Sequence, residues 1–443
     1  MSRVKPFSLK AARHHYFVEQ VYWFISMVLS ATVSLRGSSE VMEITVELLG
    51  LEADVPYWTS GRMWLMRLGY DKLERAKEKG DDWVWIVDPM VVIGEQKCLL
   101  IFGSRLSELE FLDGALKHED VEPIAVLPVR HSDGDVVFQQ LEEGVKKTGV
   151  PRSIIGDQGS DLKKGVEKFC EKHPETSYIY DIKHKTANLL KKELGPEAEW
   201  KEYLRLCSET RSKVQQTRLA YLMPPEQRAK GRYMNVYQQI EWGIKALDVI
   251  ENARAKGVKV KEAPEIEKKL GWLRGYRENL KEWRQLIEVT NQGEEFIRAN
   301  GLYRGCEKDL AKQLAGTGEG ERAKKLKQEL ERFVEGESKK AKEGEVLLGS
   351  SEVIESVIGK IKYVGGEQGK KGLTGMILSA AAMVSKTTED VVKTALESVK
   401  TKDILKWRKK HLGQTMQAKR LKVFGRREKK GTKVASIEDA SPA

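Results

Sequence analysis

Apolar residues run almost without interruption through positions 83–92 (WVWIVDPMVV), where the single acidic residue is Asp88. A continuous run rich in Val, Ile and Trp is typical of a central strand that is buried on both faces of a sheet. Four later stretches have a similar composition and are also predicted to be strands: 97–105 (KCLLIFGSR), 123–129 (PIAVLPV), 151–157 (PRSIIGD) and 177–181 (SYIYD). The predicted strands therefore all lie in the first half of the chain.

Helical periodicity alternates with the last three predicted strands. Apolar residues that recur every three to four positions predict helices over 136–147, 160–171 and 183–194. Gly94 separates the first two strands and indicates a hairpin. The order β-β-β-α-β-α-β-α predicts an α/β fold, in which a mixed five-stranded sheet carries helices on both of its faces.

Three helical patterns precede the first strand, over residues 14–30, 40–49 and 61–68. A glycine follows the second pattern and another follows the third, and a short proline-containing turn separates the two. This order predicts a helix-turn-helix. Its last helix, which carries Arg62 and Arg67, would enter the major groove of DNA.

Strand-like patterns give way to charged helical segments from about residue 195 onward. A late helix is predicted over 352–363, and further helices lead into a basic tail. These changes of pattern divide the chain into five predicted parts: an N-terminal helical DNA-binding domain (1–78), the first part of the core (79–195), an all-α insertion (196–345), the C-terminal helices of the core (346–412) and the basic tail (413–443).

Composition changes this picture mainly through charge. The net charge of +11 and the pI near 9.1 favour a polyanionic partner. The apolar run at 22–33 is short and is interrupted by Ser and Thr, so no membrane association is expected. Four cysteines without CxxC spacing argue against a zinc site and a disulfide framework, and they indicate a reducing, cytoplasmic environment: Cys98, Cys170, Cys207 and Cys306.

Three widely separated acids are candidates for chemistry. Asp88 lies in the first strand, Asp157 ends the fourth, and Glu355 lies in the late helix. An isolated carboxylate on a buried strand is costly unless it is paired or binds a metal. Taken alone, Asp88 could instead cap a turn at the strand end, assisted by Pro89. Together, two strand-end acids and one helical acid suit a two-metal phosphoryl-transfer site.

Four stretches carry a resemblance to a known enzyme family: VWIVDPMVVIGEQKCLLIFG with Asp88, PRSIIGDQGSDLKKGVEKF with Asp157, YIYDIKHKTANLLKKEL with Asp181 and His184, and GSSEVIESVIGKIK with Glu355. The chain resembles the DDE transposases of bacterial insertion sequences over about residues 80–365. The resemblance implies a catalytic domain with the RNase H-like fold. In such domains the first acid lies on strand one, the second follows strand four, and the third lies on a helix beyond an insertion.

The same resemblance implies roles for the three acids. Asp88, Asp157 and Glu355 would form the catalytic triad and would bind two Mg²⁺ ions, for which Mn²⁺ would substitute. Asp88 would bridge both ions, whereas Asp157 and Glu355 would each bind one. Further candidates, which also suit structural roles as helix caps or as complements of a helix dipole, are Asp161, Asp181 and Glu352.

DNA contacts are expected from residues around the same site. Lys362 lies seven residues after Glu355, which is two helical turns and therefore the same helix face. His184 would orient the scissile phosphate, and Lys185 would add to a basic edge. For each of these side chains the alternative is a structural or simply solvated role.

The expected partners are double-stranded DNA, as transposon terminal inverted repeats and as target, and further copies of the chain in a homodimer or larger assembly on DNA. The expected location is the bacterial cytoplasm, in association with the nucleoid. Pro89-Met90 departs from the polar residue usual after the first acid, so the alternative is a catalytically decayed or domesticated sequence-specific DNA-binding protein. A plain RNase H-like nuclease or resolvase is a third interpretation, which the helix-turn-helix and the long insertion disfavour.

Overall fold

The structure, a computed structural model, describes residues 7–91, 95–109, 116–227, 232–234, 236–252, 262–364 and 372–425. The first elements along the chain are helices: α1 (Val18–Leu29), α2 (Leu35–Leu48) and α3 (Trp58–Glu74). All three patterns near the N-terminus thus correspond to helices. The second begins earlier than predicted, and the third extends beyond its predicted pattern at both ends.

Five strands form one sheet: β1 (Trp83–Val91), β2 (Lys97–Arg105), β3 (Glu122–Val129), β4 (Ser153–Gly156) and β5 (Ser177–Tyr180). Their order across the sheet is β3-β2-β1-β4-β5. Neighbours among the first three strands are antiparallel, whereas β1, β4 and β5 are parallel. The predicted α/β fold class, with an RNase H-like mixed five-stranded sheet, is therefore confirmed. Gly94, in the predicted hairpin turn, lies outside the described residues.

Different helices cover the two faces of the sheet. On one face, α4 (Gly134–Thr148) and α5 (Ser160–Lys172) enclose an apolar cluster. There Trp85 of β1 packs against Phe169 of α5, with ring centroids 5.9 Å apart. The opposite face, which includes Ile86, belongs to a larger core. Because successive side chains of a strand point to opposite faces, β1 contributes to both cores.

A helical region follows β5. It begins with α6 (Ile182–Leu194) and continues with α7 (Ala198–Val214), α8 (Val236–Glu251), α9 (Ala263–Leu270), α10 (Arg277–Asn300), α11 (Cys306–Gln313) and α12 (Glu321–Ser338). Trp200, Tyr203 and Trp283 contact one another at its centre. Between α6 and residue 345 the described residues contain no strand, as expected for an all-α insertion.

The last described elements are also helices: α13 (Glu352–Val364), α14 (Ser379–Ala382), α15 (Glu389–Ser398), α16 (Thr401–His411) and α17 (Met416–Phe424). α13 contacts β1, while α14 and α15 pack against α3. Helices from the two ends of the chain therefore share one core with the sheet. Among the described residues, no helix is both long enough and apolar enough to span a bilayer. Most of the predicted basic tail, from residue 426 onward, lies outside the described residues.

α3 is enclosed along much of its length. A side chain at Gly69 would overlap the carbonyl oxygen of Leu378, so this glycine marks a close contact and not the predicted end of the helix. Arg67 is 7% exposed, and its guanidinium donates to the carbonyl oxygen of Leu396. The prediction that Arg67 contacts DNA is wrong, because its side chain is buried in a contact within the protein.

A buried lysine also joins α3 to the C-terminal helices. Lys72 has no exposed surface, and its ammonium group donates to the carbonyl oxygens of Val384 and Ser385 and to the hydroxyl of Thr387, each at 2.8 Å. Burial lowers the pKa of Lys72 to about 7. These contacts satisfy carbonyl groups just beyond α14, where no further helical turn is available to do so.

Candidate active site at the carboxyl edge of the sheet

β1 and β4 are parallel neighbours that run toward the same edge of the sheet, and β1 continues to Val91, beyond the end of β4. Val87 is in register with Gly156, so the next residues along the two chains are Asp88 and Asp157. Neighbouring strands lie about 4.8 Å apart, which places these acids side by side. The expectation that Asp88 and Asp157 belong to neighbouring strands is confirmed, although Asp88 lies inside β1 and only Asp157 comes directly after its strand.

Asp88 is a partly buried acid on the face of β1 that also carries Ile86. Its pKa is raised to about 6, first by burial and then by the negative charge of Asp157, with a smaller contribution from Glu355. His184 and Lys362 oppose this increase. The predicted acids thus interact electrostatically around one site, and a bound cation would relieve their mutual repulsion.

α13 carries Glu355 to this edge of the sheet. Oε2 of Glu355 accepts a hydrogen bond from the ammonium group of Lys183 at 2.8 Å, and Oε1 lies 3.6 Å from Nε2 of His184. Both partners lie in the first turn of α6, so the N-termini of α6 and α13 adjoin at the site. Burial lowers the pKa of Lys183, but the hydrogen bond and charge of Glu355 outweigh burial and raise the pKa overall. The ion pair therefore holds Glu355 where its charge acts on Asp88.

Glu352 begins α13, one turn before Glu355. Its carboxylate lies 4.0 Å from the ammonium group of Lys183 and 3.5 Å from the guanidinium of Arg298 in the insertion. The charge of Glu355 contributes to the raised pKa of Asp88, whereas Glu352 is not among the main contributors. Glu355 is therefore the better placed of the two candidates for a third acid.

Asp181 fixes the relative positions of α6 and α13. It is 1% exposed, and its Oδ1 accepts a hydrogen bond from the backbone N–H of His184 at 2.8 Å, which caps α6. Its Oδ2 accepts from the backbone N–H of Ser351, the residue before α13, at 2.5 Å. Both carboxylate oxygens are thus used inside the fold. Asp181 is a positioning residue for the helices that carry His184 and Glu355.

The turn after β4 orients Asp157. Oδ1 of Asp157 accepts from the backbone N–H of Gly159 at 3.0 Å, and the hydroxyl of Tyr178 donates to the Asp157 carbonyl oxygen. Gly159 is also the N-cap residue of α5, so the expected cap by Asp161 is not formed. Instead, Oδ2 of Asp161 accepts from the ammonium group of Lys97 at 2.7 Å. Asp161 is thus engaged in an ion pair of its own.

The remaining predicted DNA contacts fall in different places. Lys362 is exposed, and its charge acts on Asp88. The ammonium group of Lys185 lies over the ring of Phe333 in the insertion, 5.1 Å from its centroid. Arg62 lies on the enclosed helix α3 and is partly buried. Of these three side chains, the structure brings Lys362 alone to the acids.

Glu294 is an acid near the site that sequence reasoning missed. It lies in α10, and the hydroxyl of Thr186 in α6 donates to its carboxylate. Burial raises the pKa of Glu294 to about 7, against the opposing hydrogen bond from Thr186 and the charge of Lys183. One acid on a long, charged helix carries no sequence signal that distinguishes it from exposed neighbours, so tertiary contacts alone identify it.

The donor chemistry of the site suits a hard divalent cation, since carboxylate oxygens are the ligands that Mg²⁺ prefers. Among the described residues, however, no group of three or more His, Cys, Asp or Glu side chains is arranged to hold a metal ion. Asp88 and Asp157 are neighbours, but Glu355 is paired with Lys183. A site with three carboxylate ligands therefore requires Glu355 to leave this ion pair.

No protein-family model matches the chain, and no curated protein matches it in sequence. Among solved structures, it is similar to the Drosophila P element transposase strand transfer complex. That similarity has a TM-score of 0.41 and 13% sequence identity, and it covers 87% of this chain and 92% of the other. A likeness at this level does not establish a function.

Proposed function

We propose that this protein is a DDE transposase, a metal-dependent polynucleotidyl transferase and endonuclease that binds transposon ends and carries out DNA strand cleavage and strand transfer. The observation that carries the proposal is that Asp157 lies beside Asp88 on neighbouring strands and that the charges of Asp157 and Glu355 both raise the pKa of Asp88. Asp88 lies in β1, Asp157 directly follows the neighbouring parallel strand β4, and the glutamate comes from a helix beyond the predicted insertion.

The three carboxylates would hold two Mg²⁺ ions, with Mn²⁺ as a substitute. Asp88, whose pKa both other acids raise, would contribute to holding both ions, and Asp157 and Glu355 would help to hold one each. When bound, such a pair of ions stabilises the attacking and leaving oxygens of an in-line displacement at phosphorus. The attacking group would be water for strand cleavage and a DNA 3′-hydroxyl for strand transfer, so no covalent protein intermediate is required.

The residues around the acids have separate roles in this proposal. Lys183, which pairs with Glu355, and His184, whose ring nitrogen lies 3.6 Å from the same carboxylate, would contact a DNA phosphate. Lys362, exposed beside Asp88, would contact the phosphate backbone next to the scissile bond. Asp181 would take no direct part, because both of its oxygens are engaged in holding the two helices together.

The proposed partners are double-stranded DNA and further copies of the chain. The DNA would be the terminal inverted repeats of a transposon and its target, and the chain would act as a homodimer or larger assembly in the bacterial cytoplasm, associated with the nucleoid. The net charge of +11 supports a polyanionic partner.

A second candidate is a catalytically decayed or domesticated DNA-binding protein. The observation that favours it is the ion pair between Glu355 and Lys183, which occupies the third acid. Pro89-Met90 after the first acid points in the same direction. The two candidates differ in whether any divalent metal supports cleavage.

The proposal is tested by nicking of a labelled duplex that carries the inverted repeat bracketing the gene. Asp88→Asn, Asp157→Asn and Glu355→Gln each keep the side chain's size and remove one negative charge. Each substitution should lower Mg²⁺-dependent nicking by at least about a hundredfold, because each ligand supports metals that contribute several kcal/mol to the transition state. Binding of the same duplex without metal should change little.

Asp161→Asn is the matched control, since Asp161 is an acid of the same edge that pairs with Lys97. It should retain most of the nicking activity. If Glu352→Gln lost activity and Glu355→Gln kept it, the third acid would be Glu352, one helical turn before Glu355. Wild-type protein that binds the repeat but never nicks it with Mg²⁺ or Mn²⁺ would instead support the decayed DNA-binding candidate.

A further inference from the structure

α16 has one buried face and one strongly basic face. Ile404 and Trp407 pack into the core, with Ile404 fully buried and Trp407 8% exposed. The opposite face carries four exposed lysines, Lys402, Lys406, Lys409 and Lys410, in which Lys406 lies four residues after Lys402 and the last two lie three and four residues after Lys406. Side chains three and four positions apart lie on one side of a helix, so these four form a continuous row, called here the lysine row.

The positive charge of the lysine row is not neutralised within the described residues. Several exposed lysines of other helices pair with an acid one turn away, such as Lys339 with Glu335 at 2.6 Å. No such ion pair is found for the members of the row in the described part of the chain. The acid of α16, Asp403, instead accepts a hydrogen bond from the backbone N–H of Lys400 at 2.9 Å. Four like charges therefore face solvent together.

The row ends at the same edge of the sheet as the acids. The side chain of Gln96, which directly precedes β2, donates to the carbonyl oxygen of Leu412, which directly follows α16, at 2.9 Å. In the sheet, Lys97 is in register with Val91, three residues beyond Asp88. The C-terminus of α16 is thereby anchored to the edge that carries the candidate active site.

We propose that the lysine row binds the phosphate backbone of double-stranded DNA and directs the duplex toward the carboxyl edge of the sheet. This inference rests on the proposed function, and it places the DNA on α16, whereas the sequence pattern had placed it on α3. The row spans about 12 Å, since each helical residue rises 1.5 Å, and a duplex presents one phosphate charge for every 1.7 Å of its axis. Contacts of this kind position DNA without reading its sequence.

The test uses the full-length chain with Lys402, Lys406, Lys409 and Lys410 all changed to Gln. Affinity for a labelled duplex of random sequence is measured in EDTA at several salt concentrations. If all four lysines contact phosphates, the slope of log affinity against log salt should become less steep by about three to four, and affinity at about 100 mM salt should fall at least about tenfold. Circular dichroism checks that the variant is folded, which is expected for exposed side chains.

The control variant removes the same number of charges from the insertion and its C-terminal end. It changes four exposed lysines for which no ion pair is found in the described part of the chain: Lys268, Lys308, Lys325 and Lys342. Its salt slope should stay close to that of the wild type. An equal loss of affinity in the control and the row variant would mean that net charge alone governs binding, and it would overturn the inference.

A second measurement does not depend on any variant. Bound duplex should protect the four lysines of the row from acetylation in the wild-type chain, as read by mass spectrometry, while Lys268 and Lys325 stay reactive. Wild-type protein that binds the duplex without protecting the row would overturn the inference and leave the proposed function standing. A protein that uses the row to bind DNA but nicks no transposon end would overturn the proposed function alone, and failure to bind DNA would overturn both.

Discussion

The two faces of the sheet are built from the same strands but carry different side chains: one face is apolar and packed, and the other carries the candidate acids. Trp85 and Val87 of β1 point into the apolar cluster beneath α4 and α5, whereas Asp88 lies on the other face beside α6 and α13. The first face, called here the packed face, is covered by well-packed aromatic and aliphatic side chains, whereas the second is called the acid face. The second carries carboxylates that raise one another's free energy unless a cation is present. The difference shows that one strand can supply both stability and a site that costs stability.

The largest expected effect is the loss of stability when the packed face of the sheet, beneath α4 and α5, is disrupted. Phe169→Ala in α5 removes a fully buried ring that packs on Trp85, and it should lower the free energy of unfolding by about 3–5 kcal/mol. The measurement is chemical denaturation followed by circular dichroism. Lys168→Gln, an exposed neighbour on the same helix, should change stability by no more than about 0.5 kcal/mol. A small effect of Phe169→Ala would mean that this face is not where the sheet gains its stability.

The next effect is the pH dependence of stability that the raised pKa of Asp88 causes on the acid face. The pKa of Asp88 is raised from 3.8 to about 6, so the folded state holds this proton more tightly than the unfolded chain does. Its contribution to stability is therefore greatest below about pH 4 and is lost as the pH rises through about 6, by up to about 2–3 kcal/mol.

The expected measurement is the difference in unfolding free energy between wild type and Asp88→Asn. Other acids, such as Glu122, have lowered pKa values and act in the opposite direction, but they are common to both proteins and cancel in the difference. The relative stability of Asp88→Asn should rise between about pH 4 and pH 6. Mg²⁺ should bind wild type more tightly above about pH 6 than below it, because the proton competes with the metal. A difference that does not vary with pH would contradict the raised pKa.

The smallest effect concerns the ion pair that now neutralises the third acid. Lys183→Gln removes the partner of Glu355, and for a pair of partly exposed side chains the cost in stability should be under about 1 kcal/mol. Mg²⁺ should bind this variant more tightly, because Glu355 no longer has to leave an ammonium group. Calorimetric titration with Mg²⁺ measures the change. Lys185→Gln, whose ammonium lies on Phe333, is the control and should bind Mg²⁺ like the wild type.

Much of the sheet can be predicted from the sequence because its signals are local. Apolar runs mark the strands, and glycines and helical spacing mark what lies between them. The side-by-side placement of Asp88 and Asp157 follows from the strand order alone, since parallel strands share a carboxyl edge. The cap formed by Asp181 is local as well, because its partner on α6 is three residues away. The catalytic roles of the three acids remain predictions.

What could not be predicted depends on residues that are distant along the chain. α3 and α16 both read as basic helices, but Arg67 is covered by α15 and its surroundings, whereas the lysines of α16 face outward. The periodicity of a helix shows which of its faces is apolar, but it does not predict which other helix packs against that face. The approach of Glu294 to α6 and the pairing of Glu355 with Lys183 likewise join segments more than a hundred residues apart.

The burial of Lys72 has a consequence for how the chain is made. Its acceptors at Val384 and Ser385 lie 312 and 313 residues later, so α3 leaves the ribosome long before the groups that complete its surroundings. At synthesis rates of about 5–20 residues per second, the interval is roughly 15–60 s. For that time the apolar side chains of α3 have no native partners in α14 and α15. A nascent chain that stops before residue 384 cannot bury this lysine, so the C-terminal helices act as the final step in folding the N-terminal ones.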